Sequence, residues 1–480
     1  MAYQTQILVV MIVYLTFLVS WGIYQGRKVS THSDYAIAGR NLPGWVAALS
    51  ERATGESSWA LLGLPGFAYA AGLSSIWTAI GCVLGIITAW AAIAWRLRQE
   101  AEQFQVNTFT EYIGKRHPEM EFWIRRIGSA VIVFFFFFYV GAQFLGGGKT
   151  LFTLFGLNQN VGMFITAAII VPYTVYGGFR SVVFTDVVQA IVMITALVVG
   201  PLVGMWVLAS TPDVFAHSIP AALQRAGGQY TSLTGAVGGF AAGVTIMGGL
   251  SWFFGYLGGQ PQLSMRFMAI RDMQQAIKGR NVGIAWTVVA YLGALTIGWL
   301  GLGFFGPQGL SDPEFVMPKV MLTIFPPAIA AVLITGAIAA MISTADSLLI
   351  LSATELSENW FSHQGMKREQ ALQRSRLITA LLAVVALILA YVSPSRLIYT
   401  LVGYVWAGIG GTFSVVILYT LFWQRFHGRA AVITIIGGML FTIGWISSGL
   451  ETFITARIMT FIVAALVGVL ATIGTSQKNK

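Results

Sequence analysis

Four carboxylates and one guanidinium lie inside long apolar stretches of the sequence, where charged side chains are rare. They are Glu51, Arg52, Glu56, Asp186 and Asp346. A charge at the centre of a bilayer costs about 2.5–3.5 kcal/mol on insertion scales, so each of them is a candidate functional residue. For Glu51 and Arg52 the structural alternative is an internal ion pair, formed with each other or with Glu56.

Hydroxyl groups cluster around the last of these carboxylates. Ala340, Ser343, Thr344 and Ser347 are spaced so that they share one helix face, and Asp346 lies about 60° from Ser343 around that helix. A small desolvated cation prefers hard oxygen ligands, whereas transition metals prefer Cys or His. The pattern predicts a sodium-sized site that carbonyls from a broken helix would complete. The alternative is that these small residues allow close helix packing.

Two apolar stretches carry glycine, proline and polar residues midway along their length. The first reads Ala-Thr-Gly-Glu-Ser-Ser-Trp over 53–59 and Gly-Leu-Pro-Gly over 63–66. The second reads Trp-Phe-Phe-Gly-Tyr-Leu-Gly-Gly-Gln-Pro over 252–261. Irregular backbone at membrane depth is tolerated only where it lines a cavity. Matching breaks in two halves of a chain predict the binding site of an inverted-repeat transporter.

Length and composition fit a membrane protein that crosses the bilayer many times. Of 480 residues, 56% are hydrophobic and 10% are charged, against about 25% charged in soluble domains. This composition excludes an ordinary soluble enzyme and a disordered chain, and the single cysteine, Cys82, excludes a disulfide scaffold. The net charge of +10 lies in short clusters between apolar runs, which is typical of topology signals rather than of nucleic-acid binding.

Thirteen apolar runs are long enough to cross a bilayer, which needs about 20 residues per helix. With the N-terminus outside and the C-terminus inside, most of the 28 basic residues fall on the inner side, as the positive-inside rule requires. We found no phosphate-binding GxxxxGK[ST] sequence, and the five histidines are expected on solvated surface. The predicted runs are 7–24, 43–71, 75–95, 126–147, 161–178, 182–208, 236–257, 282–305, 324–351, 377–393, 397–422, 430–447 and 455–474.

Four segments resemble the sodium/solute symporter family, and most of all its bacterial sodium/proline branch: 57–66, 176–186, 255–269 and the pair Ser343-Thr344. The resemblance implies an all-α polytopic membrane protein with a LeuT-like core of five plus five inverted helices. On this chain, one transmembrane domain over 1–480 would comprise an extra helix (7–24), the first repeat (43–208), the second repeat (236–422) and two final helices (430–474).

The resemblance also implies site residues. The common sodium site of the family falls on Ala53, Glu56, Ala340, Ser343 and Thr344. A second sodium or coupling site falls on Asp186, Asp346 and Ser347, together with Ser343. The substrate positions, which lie between the two broken helices, are Ser57, Glu56, Trp59, Trp252, Tyr256, Gln260 and Pro261.

Two departures from the family pattern touch the substrate cavity. The proline carriers have an aspartate at the position of Gly55, whereas this chain has its carboxylate one residue later, at Glu56, about 100° further around a helix. The segment containing Gly258 and Gly259 is one residue longer than usual. Both differences weaken the assignment of proline more than the assignment of a sodium symporter.

The sequence therefore predicts a sodium-coupled symporter, not an enzyme, that imports a small organic solute by alternating access. The leading substrate is an amino acid such as proline. Alternatives are a proton-coupled carrier of the same fold, or a sodium symporter for an organic acid, a sugar or a vitamin. A channel, a sensor and a membrane enzyme fit less well. The expected partners are the solute, sodium and the lipid bilayer of the plasma membrane, with no nucleic acid and no obligate protein partner.

Overall fold

The computed structural model of this chain describes residues 2–28, 36–361, 368–393 and 395–476. Across these ranges the regular structure is helical, and the β pairing that they contain is one isolated bridge between Leu42 and Ile270. A helix satisfies every backbone N–H and C=O inside its own segment, which is what a long apolar run needs in the absence of water. The predicted all-α fold is confirmed. Predictions for His32, His363 and other residues outside these ranges have no structural counterpart.

The first half of the chain begins with a separate helix, α1 (Ala2–Gly26), and continues with a helix that is interrupted midway. This first broken helix consists of α2 (Gly44–Ser58), a wide π turn (Trp59–Gly63) and α3 (Leu64–Ala71). The helices that follow are α4 (Ile76–Thr88), α5 (Ala94–Gln103), α6 (Phe109–Arg116), α7 (Glu121–Phe155) and α8 (Gln159–Ser210).

The second half again starts with an interrupted helix, after the short connecting helices α9 (Ile219–Ala226) and α10 (Gly228–Thr231). This second broken helix consists of α11 (Gly239–Leu250), α12 (Trp252–Gly255) and α13 (Pro261–Met268). The remaining helices are α14 (Met273–Phe305), α15 (Val316–Ile324), α16 (Pro327–Trp360), α17 (Arg368–Val392), α18 (Ile398–Val405), α19 (Thr412–Phe422), α20 (Gly428–Ser447) and α21 (Ala456–Ser476).

Helical structure covers each of the thirteen predicted apolar runs. Within the described ranges, ten helices are long and apolar enough to cross a membrane, when 44–103 is taken as one. A turn at Gly72–Ser75 divides that segment, and two shorter apolar helices span Gln159–Pro172 and Gly239–Gly255. The number of thirteen crossings stays a prediction.

Glycines explain two differences between the predicted runs and the observed helices. The run expected to end at 147 continues to Phe155, because the glycines at 146–148 lie against α8 and α16; a Cβ on Gly147 would come within 2.1 Å of Thr166 Oγ1. In α8, Gly178 has a φ of 66°, a conformation that glycine adopts at low cost. It separates the predicted runs 161–178 and 182–208.

Helix α16 lies at the centre of the bundle and packs against α1, α2, α7 and α8. The start of α2 and the end of α13 are joined by main-chain hydrogen bonds, from Leu42 N to Ala269 O (3.1 Å) and from Arg271 N to Leu42 O (3.0 Å). The two broken helices are therefore fixed to each other at one end and meet α16 further along.

Candidate functional site

The first broken helix loses helical geometry at Ser57, where φ is 47° and ψ is −161°. In a continuous helix the Ser58 amide would donate to the carbonyl of Thr54. Here Thr344 Oγ1 donates to Thr54 O (3.1 Å), and the Ser58 amide donates to Gln143 Oε1 (3.1 Å). Side chains from α16 and α7 thus replace the helical hydrogen bond and stabilise the break.

The second broken helix is interrupted between α12 and α13. Gly258 has a φ of 79°, and a Cβ on Gly259 would lie 2.2 Å from the amide nitrogen of Ser414. Both glycines are therefore needed, the first for its conformation and the second for its close contact with the start of α19. Gln260 and Pro261 are buried at this break, and Pro261 is the first residue of α13.

Two hydroxyls of α16 face the first broken helix and α8. Ser343 Oγ donates to Asp186 Oδ1 (2.5 Å), and Thr344 Oγ1 donates to the carbonyl of Thr54. A hydroxyl whose proton is already bonded still has lone pairs to offer a cation. Both side chains are fully buried, as are Ala53 and Ala340. The oxygen-rich contact between a broken helix and a hydroxyl-bearing helix, which the sequence predicts, is present.

Asp186 is the centre of a buried polar network. Its second oxygen, Oδ2, accepts hydrogen bonds from Ser50 Oγ (2.6 Å), Thr54 Oγ1 (3.4 Å) and Arg266 Nη2 (3.0 Å). With the bond from Ser343, the carboxylate has four donors and one positive charge beside it. This saturation accounts for the stability of a carboxylate in the interior of an apolar bundle.

Arg266 joins four helices through its guanidinium. It bonds Asp186 of α8, Ser50 of α2 (Nε to Oγ, 3.0 Å), Ser347 of α16 (Nη2 to Oγ, 2.7 Å) and the carbonyl of Gln262 in its own helix, α13 (Nη1 to O, 2.8 Å). The planar fork of donors suits arginine to such multiple contacts. The guanidinium therefore links the inner part of the second broken helix to α2, α8 and α16.

The residues of the predicted second ion site are not all in one hydrogen-bonded group. Asp186 and Ser347 share Arg266. Asp346 is fully buried, but neither of its carboxylate oxygens has a hydrogen-bond partner within the described part of the chain.

Glu51, Arg52 and Glu56 form a buried charge triad, which answers the question that the sequence left open. Arg52 bonds both oxygens of Glu51, through Nε to Oε2 (2.5 Å) and through Nη2 to Oε1, and it bonds Glu56 Oε1 through Nη1 (3.0 Å). Trp90 Nε1 donates to Glu51 Oε2 (3.1 Å), and Thr287 Oγ1 lies 3.3 Å from Arg52 Nη1. The guanidinium is thus occupied by two carboxylates of its own chain.

The triad also explains the displaced carboxylate of this chain. A Cβ on Gly55 would face Arg52 Nη2 at 3.5 Å and Leu263 Cδ2 at 3.2 Å. An aspartate at position 55 would therefore point at the same guanidinium that Glu56 reaches from the next position. Moving the carboxylate by one residue keeps an arginine partner for it.

Aromatic rings fill the space between the two breaks. The indoles of Trp59 and Trp252 stack with centroids 4.3 Å apart and an interplanar angle of 7°. Tyr399 and Trp406 pack against Trp252 at 5.5 and 5.8 Å, and the Arg457 guanidinium lies 4.6 Å above the Trp252 ring. The predicted substrate residues Trp59 and Trp252 are therefore brought into direct contact.

Two further predicted substrate residues, Ser57 and Tyr256, form hydrogen bonds with tyrosine hydroxyls near this stack. Tyr139 donates to Ser57 Oγ (3.3 Å) at the first break, and Tyr256 and Tyr291 share a hydrogen bond between their hydroxyls (3.0 Å). The Tyr291 ring lies 5.9 Å from Trp59. Polar groups and apolar ring faces thus surround one region between the breaks.

A second buried ion-pair cluster lies beyond the aromatic stack. Lys149 Nζ bonds Asp312 Oδ2 (2.6 Å) and Glu314 Oε2 (2.5 Å), and the Glu314 carboxylate also accepts from the amides of Ile398 (3.0 Å) and Tyr399 (3.0 Å). The cluster holds the segment before α15 against α7 and the start of α18.

The match to a family model is decisive for the class of this protein. The model described as the sodium:solute symporter family matches residues 35–438. The chain belongs to the sodium:solute symporter family. It is 30% identical to the osmoregulated proline transporter OpuE of Bacillus subtilis, over 99% of this chain and 96% of that protein. It is 31% identical to sodium/proline symporter 2 of Staphylococcus saprophyticus (93% and 86%) and to the high-affinity proline transporter PutP of Bacillus subtilis (93% and 93%).

Solved structures share the fold of this symporter. A Na+-coupled sialic acid symporter in a substrate-bound outward-open state matches with a TM-score of 0.78 at 17% identity, over 97% of each chain. Mhp1, a nucleobase-cation-symport-1 family transporter in a closed conformation with bromovinylhydantoin bound, matches with a TM-score of 0.57 at 13% identity, over 93% and 95%. The predicted LeuT-like fold is confirmed. This symporter is a multi-pass membrane transporter and not an enzyme, and sodium is its coupling ion.

Several residues of this symporter's site were not singled out from its sequence. Gln143 and Tyr139 lie on α7, the fourth helix after the first broken helix in chain order, and they reach the break only through tertiary packing. Arg266 stood in a family-like segment, but nothing in its spacing from Asp186 indicated the ion pair. Tyr291 gave one available signal, because it is a polar aromatic residue in the middle of an apolar run.

One histidine corrects a prediction from the sequence. His117, expected on solvated surface, is only 6% exposed, and its Nε2 lies 3.0 Å from Thr420 Oγ1. Burial lowers the pKa of His117 to about 4, so the ring is neutral at physiological pH. The turn between α6 and α7 is therefore packed against the end of α19.

Proposed function

We propose that this symporter imports a small amino acid, with proline as the first candidate, together with sodium across the plasma membrane. The N-terminus lies outside and the C-terminus lies in the cytoplasm in this proposal. The observation that carries it is the contact of Thr344 with the freed carbonyl of Thr54. Thr54 precedes the first break and Trp59, one of the stacked indoles, directly follows it, so an ion and a solute would bind as neighbours.

The sodium ion is proposed to bind between α2 and α16, to the carbonyls of Ala53, Glu56 and Ala340 and the hydroxyls of Ser343 and Thr344. The donor set consists of neutral hard oxygens, which suits a monovalent hard cation. The hydroxyl protons of Ser343 and Thr344 are held by Asp186 and Thr54, which supports this assignment because their lone pairs stay available. The ion would thus join the broken helix to α16.

The solute is proposed to bind between the two breaks, in contact with Ser57, Trp59, Trp252 and Tyr256, with Gln260 and Pro261 at the second break. Indole faces suit a compact apolar ring, and the hydroxyls at the breaks suit its polar groups. The names of OpuE, PutP and the staphylococcal symporter support proline as the leading solute. In the conformation described, the Trp59–Trp252 stack occupies this space, so binding requires the two rings to separate.

Alternating access then follows from the two buried charge clusters. The Lys149–Glu314 cluster closes one side of the aromatic region, and the Arg266–Asp186 network closes the other. Sodium, entering from outside, stabilises the state in which the break and α16 are joined, and its release into the cytoplasm weakens that contact. One positive charge moved across 100 mV contributes about 2.3 kcal/mol, which supports an accumulation of about 50-fold.

A second sodium or coupling site at Asp186, Asp346 and Ser347 is retained as a proposal. Arg266 supplies the positive charge beside Asp186 and Ser347 in this conformation, so an ion would bind there only after the guanidinium moves away. The sialic acid symporter structure is described as revealing a novel Na+ site, which makes the number of ions per cycle worth measuring in this chain.

The experiment is uptake of radiolabelled proline by proteoliposomes that contain the purified chain. An inward sodium gradient should produce transient accumulation of proline, and a negative interior potential should increase it. Neither the same potential with choline outside nor a pH gradient without sodium should produce accumulation of proline. Uptake driven by the pH gradient alone, or uptake of sugars or organic acids but not of amino acids, would overturn the proposal.

A further inference from the structure

We propose that Glu56 Oε2 accepts a positively charged nitrogen of the substrate, so that the solute must carry an ammonium group. This inference rests on the proposed function, since it assigns a role within the same substrate region. It goes further in separating zwitterions from the sugars and simple organic acids that the sequence leaves open. It also gives the displaced carboxylate of this chain a task of its own.

The charge triad leaves one negative charge unbalanced. Two carboxylates and one guanidinium sum to a net charge of −1, and all three side chains are buried. Both oxygens of Glu51 are used, by Arg52 and by Trp90. Glu56 gives only Oε1 to Arg52, and the Tyr291 hydroxyl beside its carboxylate is shared with the Tyr256 hydroxyl, so Oε2 has no donor of its own within 3.5 Å among the described residues. When all three groups are ionised, the negative charge without a counter-ion is on Glu56 Oε2.

A buried carboxylate oxygen without a partner is costly, so a native structure that keeps one needs a reason for it. Arg52 cannot fully neutralise the pair, because Nε and Nη2 are both directed at Glu51. A ligand that brings a positively charged donor would complete the triad and make its net charge zero. Such a ligand gains a charge-assisted hydrogen bond that a neutral ligand cannot form.

The surroundings of Glu56 fit a cationic nitrogen on a small apolar body. The Tyr291 hydroxyl lies beside the Glu56 carboxylate and bonds the Tyr256 hydroxyl. The Tyr291 ring in turn packs against Trp59, one member of the indole stack. Ring faces attract cations through their quadrupole, so the aromatic region and the carboxylate favour the same charge.

The same region holds donors that lack acceptors. Among the buried groups near the two breaks that have no hydrogen-bond partner in the described part of the chain are Ser58 Oγ, Trp59 Nε1, Trp406 Nε1 and Gln260 Nε2. Three of these are N–H donors, which could bond the carboxylate of a solute, just as Glu56 Oε2 could accept its ammonium group. One acceptor with a negative charge and several neutral donors together describe a zwitterion.

The first test compares ligands of matched shape on the purified wild-type chain in sodium. Proline is paired with cyclopentanecarboxylate and with tetrahydrofuran-2-carboxylate, which keep the ring and the carboxylate but lack the charged nitrogen. Calorimetry should show proline binding tighter than either partner by about 10- to 100-fold, the range for a hydrogen bond to a charged group. Equal affinities within a pair, or binding of a sugar or a nitrogen-free acid in preference, would overturn the inference.

The second test uses two variants that remove the same charge from the triad. Glu56→Gln keeps the main-chain carbonyl and an acceptor for Arg52 but loses the charged Oε2, whereas Glu51→Gln changes a side chain that bonds Arg52 and Trp90. Glu56→Gln should abolish the preference for proline over its nitrogen-free partners, whereas Glu51→Gln should reduce it only in part, because Glu56 Oε2 stays in place while the triad loses its net charge. Loss of the preference in both, or in neither, would refute a specific role for Glu56.

These outcomes separate the inference from the proposed function. If wild-type chain shows no sodium-dependent binding of any solute with an ammonium group, both are overturned. If the wild-type chain binds proline in a sodium-dependent manner but Glu56→Gln still prefers proline over its nitrogen-free partners, only the inference is overturned. Should Glu56→Gln fail to give a monodisperse protein, the ligand pairs on the wild-type chain still decide the question.

Discussion

Replacing Thr344 by valine removes one hydroxyl from the contact between α16 and the first broken helix while it preserves the shape of the side chain. In the native chain this hydroxyl donates to Thr54 O at 3.1 Å, where it replaces the helical partner that the break removes. We expect Thr344→Val to weaken the dependence of transport on sodium far more than it changes the choice of solute.

The magnitude follows from the loss of one ligand. The variant removes one of the five oxygens proposed to bind the ion. A hydrogen bond to a charged group contributes about 1.5–3 kcal/mol, and we take that range for one oxygen ligand of the ion. Since 1.4 kcal/mol corresponds to a factor of ten, the half-saturating sodium concentration should rise by about 10- to 150-fold.

The assay is initial uptake of labelled solute against sodium concentration in proteoliposomes. Thr335→Val is the matched control, because Thr335 lies on the same helix, is equally buried, and bonds only the carbonyl of Ala331 in its own turn. The control should leave the sodium curve within about twofold of the wild type. Unchanged sodium affinity in Thr344→Val, or an equal shift in Thr335→Val, would refute the reasoning.

Three further variants test the charge clusters and the buried histidine. Lys149→Met should lower the free energy of unfolding by about 3–5 kcal/mol, because Glu314 stays buried without its cation; thermal unfolding should show that adding Glu314→Gln recovers part of the loss. Arg266→Met should lower the free energy of unfolding by a similar amount, because Asp186 stays buried without its cation. A Tm equal to that of the wild type would contradict this. The folded protein should lose about 3 kcal/mol of stability as pH falls from 6.5, the unfolded pKa of His117, to about 4, its folded pKa. His117→Gln should remove that part of the pH dependence of the free energy of unfolding, and an unchanged pH profile in the variant would contradict the prediction.

Much of the fold was readable because membrane helices follow simple rules. Apolar runs of the right length become helices for want of any other way to satisfy the backbone, and glycine with proline inside such a run marked both breaks. The hydroxyl face of α16 was also predictable, since the spacing of Ser343, Thr344 and Ser347 is local information. All three side chains are buried and Thr344 contacts the break, whereas the ion site that they would form stays a prediction.

The parts of the site that could not be predicted depend on contacts between segments that are distant in the sequence. Arg266, the ion-pair partner of Asp186, is 80 residues away, and the Ser58 amide, which the break leaves without a helical acceptor, donates to Gln143 on another helix. The spacing of residues along one helix does not determine where a partner on another helix lies or which way its side chain points. The cluster around Lys149 was missed because its three glycine neighbours suggest the end of a span, whereas close packing against α8 keeps the helix intact.

The most direct test of the central claim is an experimental structure of the chain determined in sodium and again in choline. We expect an ion between α2 and α16 in sodium only, in contact with the hydroxyls of Ser343 and Thr344 and with a carbonyl of the broken helix. An identical, ion-free contact in both conditions, or sodium bound only at a position that touches neither hydroxyl, would contradict the account.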